Sequence, residues 1–408
     1  LLMILLALGA VAALWLVPGP EVVDVEPETS TSPFMAGEAP TVDDLQKQMA
    51  LLEGQVEYLQ GQVSVLTEEN AALIQKLGSI GMAGGAKMEP LEPLPDDAAP
   101  DFVGLGIELM RLRQIQALPT PTVSGKVEEV EALVLASLKK WQDPEQAQLF
   151  TGALAALGWI PQPVDVQPLQ AALLTRMMGA WLDEESGTVV TVEPASLPTM
   201  QVDASLGVAV AHLIREFGGI LLSDAKGLTT DERLARLGLL FGDAALSRLL
   251  HEIQQPARAL PQGKLSPNDP DHPLNQVLLP NFLRELTTFP IQSGMEFAQS
   301  LHNAGGFPQL DSAYSRPPAS TAEVLETGKY LSDQELRIEL GPEEVRVLDT
   351  DPYWDDELGQ FLCLTALRAH NEDDAAYEGS AGWMADRVLV YPVDGQGRDH
   401  ACWQTQWR

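Results

Sequence analysis

Between Val42 and Ile80 apolar residues recur at alternating intervals of three and four without a break. A helix with that pattern carries a narrow apolar stripe and must bury it against another helix. The first heptad positions are Val42, Met49, Val56, Val63, Asn70 and Leu77, and the fourth are Leu45, Leu52, Leu59, Leu66, Leu73 and Ile80. Valine-rich first positions with leucine at the fourth favour a parallel, two-stranded coil. Asn70 is the single polar residue in the seam; two such side chains pair across a dimer and fix its register. Gly54 and Gly61 fall on the outward face, where they weaken the helix without blocking its packing. At ~1.5 Å per residue the coil would be about 58 Å long. The positions flanking the seam are mostly Gln, so no charge pattern selects a different partner, and the chain is expected to pair with itself.

The flanks divide the rest of the chain. Residues 1–18 are an apolar run ending at Pro18-Gly19-Pro20. At the lower limit for a membrane-spanning helix, this run is expected to anchor the chain, with a cleaved signal peptide as the other reading. Residues 19–41, rich in Pro, Glu, Ser and Thr, are a spacer, and residues 81–100 a Gly- and Pro-rich linker. Residues 101–408 are long enough to form a globular domain with a sizeable core. The acidic region beyond the apolar run fits export, so the chain is expected to be extracytoplasmic.

The formal net charge of −33 excludes a nucleic-acid partner, because phosphate backbones require clustered Lys and Arg. The same charge argues against adhesion to an anionic membrane surface. The two cysteines, Cys363 and Cys402, are a possible disulfide in an exported chain, with two free thiols as the alternative.

Within 101–408 the pattern is α+β and mostly helical. Helices are expected at Val127–Trp141, Pro144–Leu157, Leu206–Leu222 and Asp231–Ile253. Strands are expected at Thr188–Val192, Arg387–Tyr391 and Ala401–Trp407. Segments 255–280 and 303–320 are expected to be loops, as is the acidic cluster of Asp351, Asp355, Asp356 and Glu357. There is no Gly-x-Ser-x-Gly elbow and no Gly-rich phosphate loop.

One helix contains Ala211-His212-Leu213-Ile214-Arg215-Glu216. In a His-Glu-x-x-His helix two imidazoles one turn apart hold zinc, and the Glu takes a proton from the bound water. Here the first His is present, Leu213 stands at the base position and Glu216 at the second ligand position. The surrounding blocks resemble those of exported bacterial gluzincin-type metallopeptidases, in the same order. They are Trp181-Leu182-Asp183, Phe241-Gly242-Asp243-Ala244, Phe289-Pro290-Ile291, Gly305-Gly306-Phe307, Pro317-Pro318-Ala319-Ser320-Thr321, Lys329-Tyr330 and Gly382-Trp383-Met384-Ala385-Asp386-Arg387.

The resemblance spans about half the chain and implies a zincin-like fold. The departures from it fall on the chemistry. Leu213 replaces the base, Glu216 the second ligand, Phe241 the third ligand, and Glu326 stands where the family has His. The resemblance therefore implies a degenerate member with no catalytic residue and no cofactor, acting as a binding or scaffold protein toward an unknown envelope protein. The alternative is a divergent metal-dependent hydrolase, with zinc held by His212, Glu216 and a third group from Glu326, Asp243 or His302.

Overall fold

The computed structural model describes residues 101–115, 120–193, 203–256, 272–332, 340, 351–369, 371, 373–391 and 400–407. The segments read above as anchor, spacer, coiled coil and linker lie outside them. The described part is α+β and mostly helical.

Its helices are α1 (Phe102–Leu112), α2 (Val127–Trp141), α3 (Pro144–Ala156), α4 (Val166–Met178), α5 (Ala204–Leu213), α6 (Thr230–Gln254), α7 (Asn281–Gly305), α8 (Phe307–Ser315), α9 (Thr321–Leu325), α10 (Thr327–Leu331), α11 (Gly359–Arg368) and α12 (Asp373–Ala381). A first sheet has the order β1 (Thr122–Gly125), β3 (Thr188–Val192), β2 (Ala180–Asp183), with β1 parallel and β2 antiparallel to β3. A second, fully antiparallel sheet has the order β4 (Trp354–Asp356), β5 (Trp383–Tyr391), β6 (His400–Trp407).

Local chemistry sets the helix starts. Asp143 accepts from the Glu145 amide, and Pro144 takes the first helical position, where its missing N–H costs nothing. Thr229 and Glu232 form a reciprocal capping box on α6. Asp203 caps α5 through the Leu206 amide. The centre of the molecule is the pair α6 and α7, which touch backbone to backbone: a Cβ on Gly242 would lie 2.0 Å from the Gly294 carbonyl oxygen. Only glycine admits that approach. Helix α5 lies against β2 and β3 on one side and against α1 and α6 on the other. Trp181 of β2 is fully buried beneath it and donates its indole N–H to Ser137 Oγ at 2.9 Å.

Several expectations are corrected. Segment 303–320 is not a loop: α7 runs to Gly305 and α8 occupies Phe307–Ser315. Helix α7 passes straight through Pro290, which therefore leaves one carbonyl of the preceding turn without its helical donor. Asp356 is not part of a solvated acidic loop, since it accepts from the Thr230 amide and hydroxyl at 2.8 and 2.6 Å and so ties β4 to the start of α6. Cys363 and Cys402 are not joined in a disulfide. Cys402 pairs with Leu389 and packs on the face carrying Ala385 and Tyr391, whereas Cys363 packs under Trp383 and Trp403 on the opposite face. Strand alternation puts the sheet between the two thiols. Among the described residues one stretch, Ala204–Leu221, is long and apolar enough to cross a membrane by length and composition. It is α5 and its extension, packed between the first sheet, α1 and α6.

Candidate functional site

His212 sits in the last turn of α5, 6% exposed. The α-helical ladder then gives way to a π turn over Ile214–Gly218. Both ring nitrogens of His212 face neighbours within the fold. Nδ1 lies 3.4 Å from Thr120 Oγ1, which also accepts from Arg215 Nη1. Nε2 faces the backbone of α1 so closely that a Cβ on Gly106 would lie 2.2 Å from it. Burial, reinforced by the charge of Arg215, lowers the His212 pKa from 6.5 to about 4, so the ring is neutral at neutral pH.

The other positions compared above with a His-Glu-x-x-His site do not gather around this imidazole. Leu213 is fully buried in the core. Glu216 is exposed, on the π turn. Phe241 is buried and meets Trp181 edge to face at 6.2 Å. Glu326, between α9 and α10, accepts from Lys329 Nζ at 2.7 Å and Gln360 Nε2 at 3.0 Å. His302 stands edge-on to Phe307 at 4.8 Å, its pKa lowered by burial and by Arg113. Among the described residues no three His, Cys, Asp or Glu side chains come together in an arrangement that could hold a metal ion. These side chains are spread through the described fold: His212 has Nε2 against the Gly106 α-carbon, Leu213 and Phe241 lie in the core, Glu216 is exposed, and Glu326 is ion-paired with Lys329.

What fills this region is a polar seam between α1 and α6 that the sequence did not reveal. Arg113 Nε donates to both oxygens of Asp243, at 2.8 and 2.9 Å, and both side chains are wholly buried. Tyr314 donates to Asp243 Oδ2 at 3.0 Å and Ser247 to Oδ1 at 3.2 Å. The guanidinium lies over the Phe307 ring at 4.8 Å, with its Nη2 2.9 Å from Asp311. Burial works against the Arg113 charge, but Asp243, Tyr314 and Asp311 outweigh it and raise the pKa. Two turns further along α6, His251 Nε2 lies 2.8 Å from Glu108 Oε2, again buried. The available sequence signal was Glu108, a lone carboxylate in the apolar run Phe102–Leu112, since a buried carboxylate requires a partner. Asp243 stands in the Phe241-Gly242-Asp243-Ala244 block, but its partner lies 130 residues away along the chain.

No family model matches the chain, and neither a curated protein nor a solved structure matches it.

Proposed function

We propose that the chain is a membrane-anchored, extracytoplasmic binding or scaffold protein. In this reading its globular part is a zincin-like domain that has lost the chemistry of a peptidase, and its coiled coil makes it a parallel dimer. The observation that carries the proposal is the packing of His212. Its Nδ1 lies beside Thr120 and its Nε2 abuts Gly106, so helix α1 occupies the space a metal ion would need. The substituted positions are likewise committed to structure, Phe241 against Trp181 and Glu326 to Lys329 and Gln360. General-base catalysis alone contributes ~10²–10⁴-fold, and Leu213 offers no group to supply it. The partner in this reading is a protein of the same envelope.

The test is metal content. The full chain, purified in detergent, is loaded with zinc, dialysed and measured by mass spectrometry beside His212→Ala. The expected result is the same low metal content in both. Near-stoichiometric zinc that disappears in His212→Ala would overturn the proposal in favour of a divergent metal-dependent hydrolase built on His212 and Glu216.

A further inference from the structure

Away from His212, helices α2, α3, α4, α6 and α7 surround a cavity of about 50 Å³ that is partly open to solvent. A water-sized atom needs about 10–15 Å³, so there is room for about four non-hydrogen atoms. Most of the wall is apolar, with Trp141, Phe150, Leu234 and Leu286 contributing to it. Two polar side chains reach the same cavity from different helices, Arg233 of α6 and Gln167 of α4. Both are deeply buried, at 9% and 2% exposed, and the fold leaves each with hydrogen-bonding capacity to spare. A guanidinium has five N–H donors. Nη1 of Arg233 donates to the Leu228 carbonyl at 3.3 Å and Nη2 to Thr230 Oγ1 at 2.9 Å, and no carboxylate among the described residues pairs with it directly. Gln167 Nε2 donates to the Leu138 and Gln142 carbonyls at 3.3 and 2.9 Å. Two carbonyl partners fix which end of that amide is the nitrogen, so Oε1 is the end left to accept, and no donor among the described residues reaches it.

We infer that this cavity binds a primary carboxamide of about the size of acetamide or propionamide. Charge argues against the simpler occupant, a carboxylate. Thr230 Oγ1 accepts from Arg233 and donates to Asp356 Oδ2 at 2.6 Å, so a counter-charge already stands one hydroxyl away from the guanidinium. A second anion would add like charge to a buried place, on a chain whose formal charge is −33. A carboxylate also cannot donate to Gln167 Oε1, and an ammonium cannot accept from Arg233. A carboxamide is neutral and does both: its carbonyl accepts from Arg233, its NH2 donates to Gln167, and its short hydrocarbon part meets the apolar wall. A few placed polar groups in an otherwise apolar cleft are what fix the orientation of a small ligand. The same chemistry comes as a free small amide or as a glutamine side chain of another protein.

The test is a titration on the full chain in detergent, read by saturation transfer from protein to ligand protons. The probes are propionamide, sodium propionate and a capped tripeptide with a central glutamine. Propionamide is expected to saturate in the millimolar range, as suits so few atoms, with propionate roughly tenfold weaker or more. A peptide that binds more tightly than propionamide assigns the site to a protein side chain, and one that binds more weakly assigns it to a free amide. Leu237→Phe brings a ring into the cavity from a half-buried part of its wall and should weaken propionamide roughly tenfold. Arg233→Lys keeps the charge but loses the planar fork and should weaken it by a similar factor. Both variants should keep the far-ultraviolet circular dichroism of the parent chain. Propionate binding as tightly as propionamide, saturation that survives both substitutions, or no saturation by either amide would overturn the inference.

Discussion

Two buried regions of this domain handle carboxylates in opposite ways. In the seam between α1 and α6, Asp243 faces the Arg113 guanidinium and Glu108 faces His251. At the corner where α11 meets the second sheet, Asp386 is 1% exposed and accepts from neutral donors, with the Glu357 carboxylate as a further like charge. The donors are the amides of Leu358 and Gly359 at 3.0 and 3.2 Å, the Trp403 indole at 3.1 Å and the Cys363 thiol at 3.8 Å. Burial raises the Asp386 pKa to about 6, against the lowering effect of Trp403, Gly359 and Leu358. The contrast separates two solutions to one cost. A buried charge beside a counter-charge is compensated where it stands, whereas one beside dipoles alone retains the option of taking a proton.

The largest effect should follow from breaking the first solution. Arg113→Met keeps the volume but leaves Asp243 with two hydroxyl donors and no cation. The expected loss is about 3–5 kcal/mol of unfolding free energy in urea, the usual penalty for stranding one member of a buried pair. Arg113→Met combined with Asp243→Asn should recover most of it. A loss under ~1 kcal/mol for the single variant would mean that Tyr314 and Ser247 suffice, and the contrast between the two regions would fail.

The second solution should be visible in pH dependence. The Asp386 pKa is higher in the folded chain than its ordinary 3.8. Its contribution to stability is therefore complete below pH ~4 and is lost as pH rises through 6. His212 has the opposite sign: its folded pKa of about 4 is below the ordinary 6.5, so its contribution is complete above pH 6.5 and is lost as pH falls through 4. Each shift corresponds to roughly 3 kcal/mol at ~1.4 kcal/mol per pKa unit, so over this window the two nearly cancel. Asp386→Asn should therefore give a stability that climbs from pH 4 to 6.5, and His212→Gln one that falls from pH 4 to 6. His302, lowered, and Glu285, Glu296 and Asp356, raised, are common to both variants and drop out of the difference. Parallel profiles for the two variants would show that neither group titrates as its surroundings dictate.

The sequence exposes these regions to different degrees. Helices α2, α3 and α6 are legible from their helical apolar pattern, with Pro144 marking the start of α3, whereas the Thr229–Glu232 capping box of α6 emerges only in the structure. Strand β3, the second half of β5 and most of β6 are legible as strand-like runs, but their pairing is not. Helix α8 was missed because Gly305, Gly306 and Pro308 punctuate the segment as a loop would, although Pro308 occupies the first turn, where it is tolerated. The resemblance singled out His212 as a candidate metal ligand, but not what covers it. Gly106 and Thr120 are 106 and 92 residues away in the chain, and no local pattern encodes contacts at that range. The Arg113–Asp243 pair is hidden for the same reason. An apolar period identifies which face of a helix is buried, but it does not say that the helix crossing it will bring a guanidinium.

The smallest effect tests how finely the dipolar solution is built. Trp403→Phe keeps an aromatic ring against Trp159, which it now meets at 4.9 Å, and removes one of the donors to Asp386. The backbone amides of Leu358 and Gly359 remain, so the carboxylate is not stranded. A hydrogen bond to a charged acceptor contributes about 1.5–3 kcal/mol, and less where other donors remain. The variant should lose about 1 kcal/mol at pH 7, where Asp386 is ionised, and almost nothing at pH 4, where the protonated acid no longer needs the indole. The Asp386 transition should move upward as the ionised form loses a donor. A cost equal at both pH values would assign Trp403 to packing against Trp159 alone. The two backbone amides at the start of α11 would then be what holds the charge.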